Sequence, residues 1–409
     1  MCERPRRRVA VTGLGAVSSL GLGHRALTAA IRTAQSGIGP IEQFDADGFE
    51  HTLAGEVRDF TAHEHLRRTD AARWGRSGQF AAAAARMAVD DAGLSAGQLP
   101  AQRTASCFGT TNGEAQVLEH LTGQWITRGG AGLDVDAAGQ VDAGRIAAAV
   151  AAELDLGGPA LTLGTACAAS NYAIGYGFDL IADGEADAVL CGGADASNRA
   201  THAGFHRLGA LAQDLPRPFD EHRDGIVTAE GGVALLLEPL DAARARGAHL
   251  YAEVLGYGMT CDAKHMTNPD AASIAECIRR AHHHAGIKPE EVDYICAHGT
   301  GTRANDSTEV AALRETFGDR LPPVSSIKSM LGHTMGAAAG FGALICCAAL
   351  DEGFLPPSAT VRHTDPALGP DLDCVPNTAR EASLRIAQNH GFAFGGNNAV
   401  TVFAKVAPQ

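Results

Sequence analysis

The sequence predicts an α/β protein whose sheets are covered by helices. Three observations predict it. Short strand-like runs alternate with longer helix-like runs along the 409 residues. A strand running into a Gly-Thr turn occurs once in each half. Hydrophobic residues make up 45% and charged residues 20%, which suits a large buried core and excludes disorder.

Val9–Thr12 predicts the first strand, and Gly13 and Gly15 predict a strand-to-helix turn after it. Ser77–Ala92, with alanine at 81–85, predicts a helix. Thr104–Phe108 is a strand, Ala143–Leu154 and Asn171–Ala182 are helices, and Ala186–Leu190 is a strand. Val233–Glu238 is a strand, Leu240–Arg246 a helix and Ala252–Gly256 a strand. The second half repeats the theme: helix Ile274–Ala285, strand Tyr294–Ala297 and helix Asp306–Phe317. Strand Val324–Ser326, helix Gly336–Leu350 and strand Ala399–Val406 follow.

The repetition hints at duplication. Arg103–Thr111 resembles Asp293–Gly301, and the surroundings of Cys167 resemble those of His333. The second copies lie 189 (Cys107 to Cys296) and 166 (Cys167 to His333) residues on, not far from half the length. No low-complexity linker separates the halves, which predicts that they pack as one body.

The net charge of −14, with no basic domain, argues against nucleic acid as a partner. The longest apolar runs, Ala81–Ala85 and Phe341–Leu350, fall short of the ~20 residues a membrane span needs. Met1–Val9 carries Arg6, Arg7 and Arg8 without an apolar segment behind them, so no signal peptide is expected and the chain is placed in the cytoplasm. Ten cysteines include no CxxC or CxxH pair, which argues against zinc and for buried thiols in a reducing compartment.

Several stretches carry candidate chemistry. Val9–Ser18 has Gly13 and Gly15 but Ser18 where a dinucleotide fingerprint needs its third glycine, so no NAD is expected. Cys167 sits where a β-like run gives way to a small-residue helix, and helix N–H groups there favour thiolate over thiol. It reads as a nucleophile or as one more buried thiol. His298 ends a strand before the turn Gly299–Thr302, facing a cleft or bonding backbone. Asp306 and Glu309 follow on one helix, as a solvated face or an N-terminal cap pair. Lys328 and His333 lie in a stretch otherwise free of charge. A lysine there needs a carboxylate, with Glu309 or Asp306 the nearest candidate. Phe392 and Phe394 beside Gly395 and Gly396 suggest a loop that swings an aromatic ring, or a tight turn. Together a cysteine and two histidines make a nucleophile with two helpers, suited to acyl transfer.

The motifs become specific in combination: Val11-Thr-Gly-Leu-Gly15, Thr165-Ala-Cys167, Arg217-Pro-Phe-Asp220, Arg223-Asp-Gly225, His298-Gly-Thr-Gly-Thr302, Lys328-Ser-Met-Leu-Gly-His333 and Phe394-Gly-Gly396. In this order, over nearly the whole chain, they resemble elongating β-ketoacyl-acyl carrier protein synthases and the ketosynthase subunits of type II polyketide systems. The resemblance implies the thiolase fold: two pseudo-duplicated halves in a five-layer α-β-α-β-α body, paired as dimers. Residues 1–255 would form the half with the nucleophile and 256–409 the half with the two histidines.

The resemblance also implies roles. Cys167 is acylated. His298 and His333 bind the malonyl thioester carbonyl and promote decarboxylation. Lys328 orders the site with Glu309, and Asp306 supports it. Backbone N–H groups of Cys167 and Phe394 form the oxyanion hole, and Phe394 gates entry. Thr300, Thr302 and Phe392 contact substrate. No metal or resident cofactor is implied, because an acyl carrier protein delivers the substrate on its phosphopantetheine arm. Arg67, Arg68, Arg73, Arg76 and Arg207 are the basic candidates for docking that acidic partner.

Ala393 stands where relatives usually have glycine, Asn397 where threonine is frequent, Ile226 for phenylalanine and Ala229 for glycine. The stretch Gly129–Gln140 aligns poorly, near the family's dimer contacts and acyl-tunnel wall. A non-catalytic chain-length-factor partner would lack the cysteine. A thiolase would need a second cysteine in a late Cys-x-Gly. Chain-starting enzymes have asparagine where His333 stands, and a cysteine hydrolase leaves Lys328 and His333 unexplained. Ser326-Ile-Lys328 and the Phe394 loop resemble polyketide forms more than primary fatty-acid forms. The chain is expected to act as a homodimer or beside a chain-length-factor-like homologue.

Overall fold

The computed structural model describes residues 6–407, so Cys2 lies outside the described residues. The first five strands along the main sheet path are β1 (Val9–Ser18), β2 (Thr104–Gly109), β3 (Ala160–Leu163), β4 (Ala188–Asp195) and β5 (Gly231–Pro239). The second five are β6 (Ala252–Cys261), β7 (Tyr294–Cys296), β8 (Val324–Ser325), β9 (Ile386–Phe392) and β10 (Asn397–Ala404). They form one sheet in the order β8-β7-β9-β10-β6-β1-β5-β4-β2-β3, with the short Gly21–Leu22 appended to β1.

The order encodes a duplication. Outward from the centre, the first half runs first, fifth, fourth, second, third, and the second half does the same. Directions match as well. In each half the first two pairings are antiparallel and the outer two parallel. β1 meets β6 antiparallel through only three residue pairs, Val9–Val254, Ala10–Glu253 and Val11–Ala252.

Helices complete the five layers. α1 (Arg76–Asp91) and α2 (Arg145–Leu154) cover the first half. α4 (Ala271–Ala285) and α5 (Arg303–Phe317) cover the second, and α3 (Ala169–Ala182) and α6 (Ala338–Glu352) lie between the halves. α6 is buried from Ala338 to Leu350, as a helix apolar on every side must be. Residues 335–352 are long and apolar enough to span a membrane, but here they form this core helix and the 3-10 turn that leads into it.

Two expectations are corrected. Gly13 and Gly15 do not open a turn: β1 runs through them to Ser18. A Cβ on Gly15 would lie 1.9 Å from the Ala84 carbonyl oxygen, and one on Gly13 2.0 Å from that of Ala88. The glycines let α1 lie directly on the strand. The aromatic loop near the end of the chain is also shorter than its sequence suggests, because Gly391 and Phe392 belong to β9 and Asn397 and Asn398 to β10. The residues between them form a hairpin turn. Sequence reasoning missed β9 and the helices Ala115–Arg128 and Arg199–Arg207. Gly129–Gln140 folds as a turn and the short helix Val135–Ala138, with Val135 exposed. Every described cysteine except Cys261 is buried.

Candidate active site

Cys167 lies in a single 3-10 turn, Ala166–Ala168, between β3 and α3. Ala166 is left-handed at φ +48°, a conformation that costs a non-glycine residue about 1–3 kcal/mol. The device recurs in the second half, where Met335 at φ +51° opens the turn Met335–Ala337 before α6. The structural counterpart of Cys167 is therefore Gly336 and not His333. Gly336 N–H donates to Asp195 Oδ2 at 2.6 Å, and Asp195 also accepts from Thr110 Oγ1 at 2.6 Å and from the N–H groups of Thr111 and Asn112. This buried carboxylate, pushed up to about 6 by desolvation, ties the Met335–Ala337 elbow to the loop that follows β2. Sequence reasoning missed it.

The sulfur and ring nitrogens of Cys167, His298 and His333 lie within 4.8 Å of one another. The spacing suits a metal ion, but the donor chemistry does not. Met335 N–H donates to His333 Nδ1 at 3.0 Å, so the neutral ring carries its proton on Nε2, where a metal needs a lone pair. The nearby Lys328 ammonium also opposes a second cation. Burial, then Lys328, holds His298 well below the usual histidine range and His333 down at about 3. Both rings are thus neutral N–H donors at neutral pH.

The expected thiolate is corrected. Burial pushes the Cys167 thiol up to about 11, despite the opposing charge of Lys328 and the N–H groups of Cys167 and Phe394. Desolvation outweighs the helix terminus. Those same two N–H groups lie on the Cys167 side of the site, and each favours the thiolate.

The expected Lys328–Glu309 ion pair is also corrected. Lys328 Nζ donates to the His298 carbonyl at 2.6 Å, while Glu309 accepts from His298 N–H at 2.9 Å and Gly299 N–H at 2.8 Å. Cation and anion grip one peptide segment from two sides. The carboxylate's close partner is His390, whose Nδ1 lies 2.8 Å from Glu309 Oε1 with both side chains fully buried. Asp306 accepts from Phe219 N–H at 2.8 Å and Gly301 N–H at 3.2 Å and lies 3.7 Å from buried Arg223, which fastens the Arg217–Gly225 motif to the His298 turn.

A cavity of about 430 Å³ opens before Cys167, lined among others by His298, His333, Thr300, Thr302 and Phe392. Ile226 also lines it. Phe392 is held in β9 at 4% exposure, whereas Phe394 sits on the hairpin turn at 37% and stacks on Phe205, with ring centroids 5.8 Å apart. Of the two rings, Phe394 is the one that reaches solvent. Ala393 is outside the left-handed region, so its methyl adds no backbone strain.

Among the docking candidates, Arg76 is corrected: it pairs with fully buried Glu230 at 2.7 Å and stacks on Phe80. Arg67 and Arg68 are exposed but paired with Asp90 and Asp155. Arg68 and Arg73 line a separate surface depression with α2 residues. Arg207 is exposed between Phe205 and Leu208, which line the cavity.

A strained cysteine elbow facing two neutral histidines, in a duplicated five-layer body, defines a condensing enzyme of the thiolase-fold class. The chain belongs to the β-ketoacyl synthase family, matching its N-terminal domain over residues 6–243 and its C-terminal domain over 251–362. It is 38% identical to the 3-oxoacyl-(acyl-carrier-protein) synthase 2 of Synechocystis sp., over 99% of this chain and 100% of the relative. It is 37% identical to that of Coxiella burnetii, over 98% and 99%. Among solved structures, the ishigamide ketosynthase/chain length factor is 48% identical at TM-score 0.96, covering 98% of this chain and 100% of that one. A type II PKS acyl-carrier protein in complex with its ketosynthase is 31% identical at TM-score 0.90, covering 99% and 100%.

Proposed function

We propose that this chain is the catalytic ketosynthase subunit of a type II polyketide or polyene system. It extends an acyl chain by two carbons with malonyl-acyl carrier protein. The observation that carries the reading is the meeting of Cys167, His298 and His333 within 4.8 Å at the floor of one cavity. A chain-length-factor partner has no use for that cysteine. The 48% identity to the ishigamide ketosynthase/chain length factor, against 38% to the Synechocystis synthase, supports the polyketide side.

In the first half-reaction the carrier's thioester passes its acyl group to Cys167 Sγ, and the thiol proton leaves with the carrier's thiol. That exchange needs no standing thiolate, which fits a thiol raised to about 11. The malonyl thioester then enters on the phosphopantetheine arm past Thr300 and Thr302. Its C–CO₂ bond breaks, and the electron pair moves to an enolate whose oxygen accepts from the His333 Nε2–H and a His298 ring N–H. The enolate carbon attacks the acyl carbonyl, whose oxyanion accepts from the N–H groups of Cys167 and Phe394. Collapse releases the β-ketoacyl product, and the Cys167 thiolate takes one proton from solvent. Lys328 and Glu309 hold the His298 backbone throughout. Every group in this sequence comes from the protein or the carrier, so the reading calls for no resident metal or cofactor.

The unpaired edge of β3 supports a dimer. Leu161 on that edge is an exposed apolar side chain, as are Leu118, Trp125, Ile126 and Val135 in the segment between β2 and β3. A second copy or a chain-length-factor-like homologue would cover them. The carrier docks beside the cavity mouth at Arg207. The reading also takes the chain as two functional halves, with the expected boundary at 255/256 moved back to the segment between β5 and β6 because β6 already begins at Ala252, and the cytoplasm as the location.

Intact-protein mass spectrometry after incubation with acyl-carrier protein tests the reading, on the chain alone and with any co-purifying homologue. Wild type is expected to gain one acyl adduct that Cys167→Ala lacks. No adduct under either condition overturns the catalytic reading.

A further inference from the structure

We infer that His390 is a positioning residue for the decarboxylation step, acting on His298 by two routes at once. Strand alternation puts Gln388 and His390 on one face of β9 and Asn389 on the other. Asn389 turns to the central layer and bonds Asn171 and the Ala339 carbonyl. Gln388 and His390 face the outer helices, where they join His282 of α4 and Glu309 of α5 in an unbroken buried relay. His282 Nε2 lies 2.7 Å from Gln388 Oε1, Gln388 Nε2 2.7 Å from His390 Nε2, and His390 Nδ1 2.8 Å from Glu309 Oε1.

The relay sets a tautomer. Gln388 donates to His390 Nε2, so His390 carries its proton on Nδ1 and donates it to Glu309. Glu309 in turn accepts from the N–H groups of His298 and Gly299. The second route is through rings. His390 packs on Phe392 at 5.0 Å between centroids, and Phe392 on His298 at 5.9 Å. His298 depends on such support because its own Nδ1 is buried without a hydrogen-bond partner. Nothing bonded to the ring orients it, so its backbone grip and its ring neighbours do, and His390 touches both. Cys167 and its oxyanion donors lie outside this relay.

The inference rests on the ketosynthase reading, and the experiment separates the two. Acylation of Cys167 is followed by mass spectrometry and malonyl decarboxylation by CO₂ release, in full-length wild type, His390→Leu and His390→Asn, with melting temperatures alongside. Asparagine places Nδ2 where histidine has Nδ1 and keeps the donor to Glu309. His390→Leu is expected to slow decarboxylation about 10–100-fold, the range typical of a lost supporting bond, with acylation within about threefold. His390→Asn is expected to recover most of that loss. If leucine prevents folding, His390→Met, more adaptable in a core, replaces it with the same expectation. Parallel loss of both half-reactions, unchanged decarboxylation, or an asparagine variant no better than the apolar one each overturns the inference while leaving the ketosynthase reading standing. A wild-type chain inactive in both steps overturns both.

Discussion

Cys167 shows how burial decides a group's resting state. A helix N-terminus favours the thiolate, but at 6% exposure the cost of desolvating the charge outweighs it. Alkylation of Cys167 by iodoacetamide, read on its own peptide, should therefore keep rising through about pH 9 with no plateau near pH 7. A plateau there would show a standing thiolate. The histidines work in the opposite direction. Both are held below the usual ~6.5, so each is neutral above its lowered value and gains its proton only at more acid pH. Malonyl decarboxylation should stay flat from about pH 8 to about pH 6, where an ordinary histidine would show an inflection. Lys328 acts through the His298 carbonyl, so Lys328→Met should cut decarboxylation more than Cys167 acylation, by about tenfold or more in a two-step kinetic comparison. These residues were legible because Cys167, His298, Lys328 and His333 each stand in a short motif. Asp195 and His390 were not, because their partners lie 141 and 81 residues away in the chain.

Elements succeed or fail to announce themselves by their pattern. α1 and α6 declared themselves through alanine and unbroken apolarity. β9 did not, since Gln388, Asn389 and His390 are polar yet buried, the first and last satisfied on the outer side and Asn389 on the central side. Its burial comes from tertiary hydrogen bonds, which no local pattern encodes. The glycines of β1 were visible, but their purpose was not. A turn and a close helix approach both require the missing Cβ, and only the position of α1 distinguishes them. Gly15→Ala should force its methyl into the Ala84 carbonyl and destabilise the protein by about 1–3 kcal/mol, measured as a lowered urea midpoint. A midpoint equal to wild type would mean that α1 shifts freely.

At the scale of the whole molecule, duplication places the chemistry. Each half carries its parallel strands at its outer edge, and each has a strained 3-10 elbow before a central helix. Packing the halves back to back brings the nucleophile of one against the histidines of the other. On the dimer reading proposed above, a partner covers the sheet edge at β3 and the exposed Trp125 and Ile126. The double variant Trp125→Asp/Ile126→Asp should dissociate the assembly in light scattering at micromolar concentration and reduce condensation with it. An unchanged mass would place the interface elsewhere.

The sequence by itself determined the alternation of layers, the order of the motifs and the identity of the reacting side chains, because each depends on neighbours close in the chain. Only the tertiary structure decided that Cys167 rests as a thiol, that Lys328 bonds a peptide carbonyl instead of Glu309, that Arg76 is committed to buried Glu230, and that a histidine relay stands behind His298. Desolvation and hydrogen-bond partnership are properties of a site's surroundings, and those surroundings come from segments that meet only when the two halves fold together.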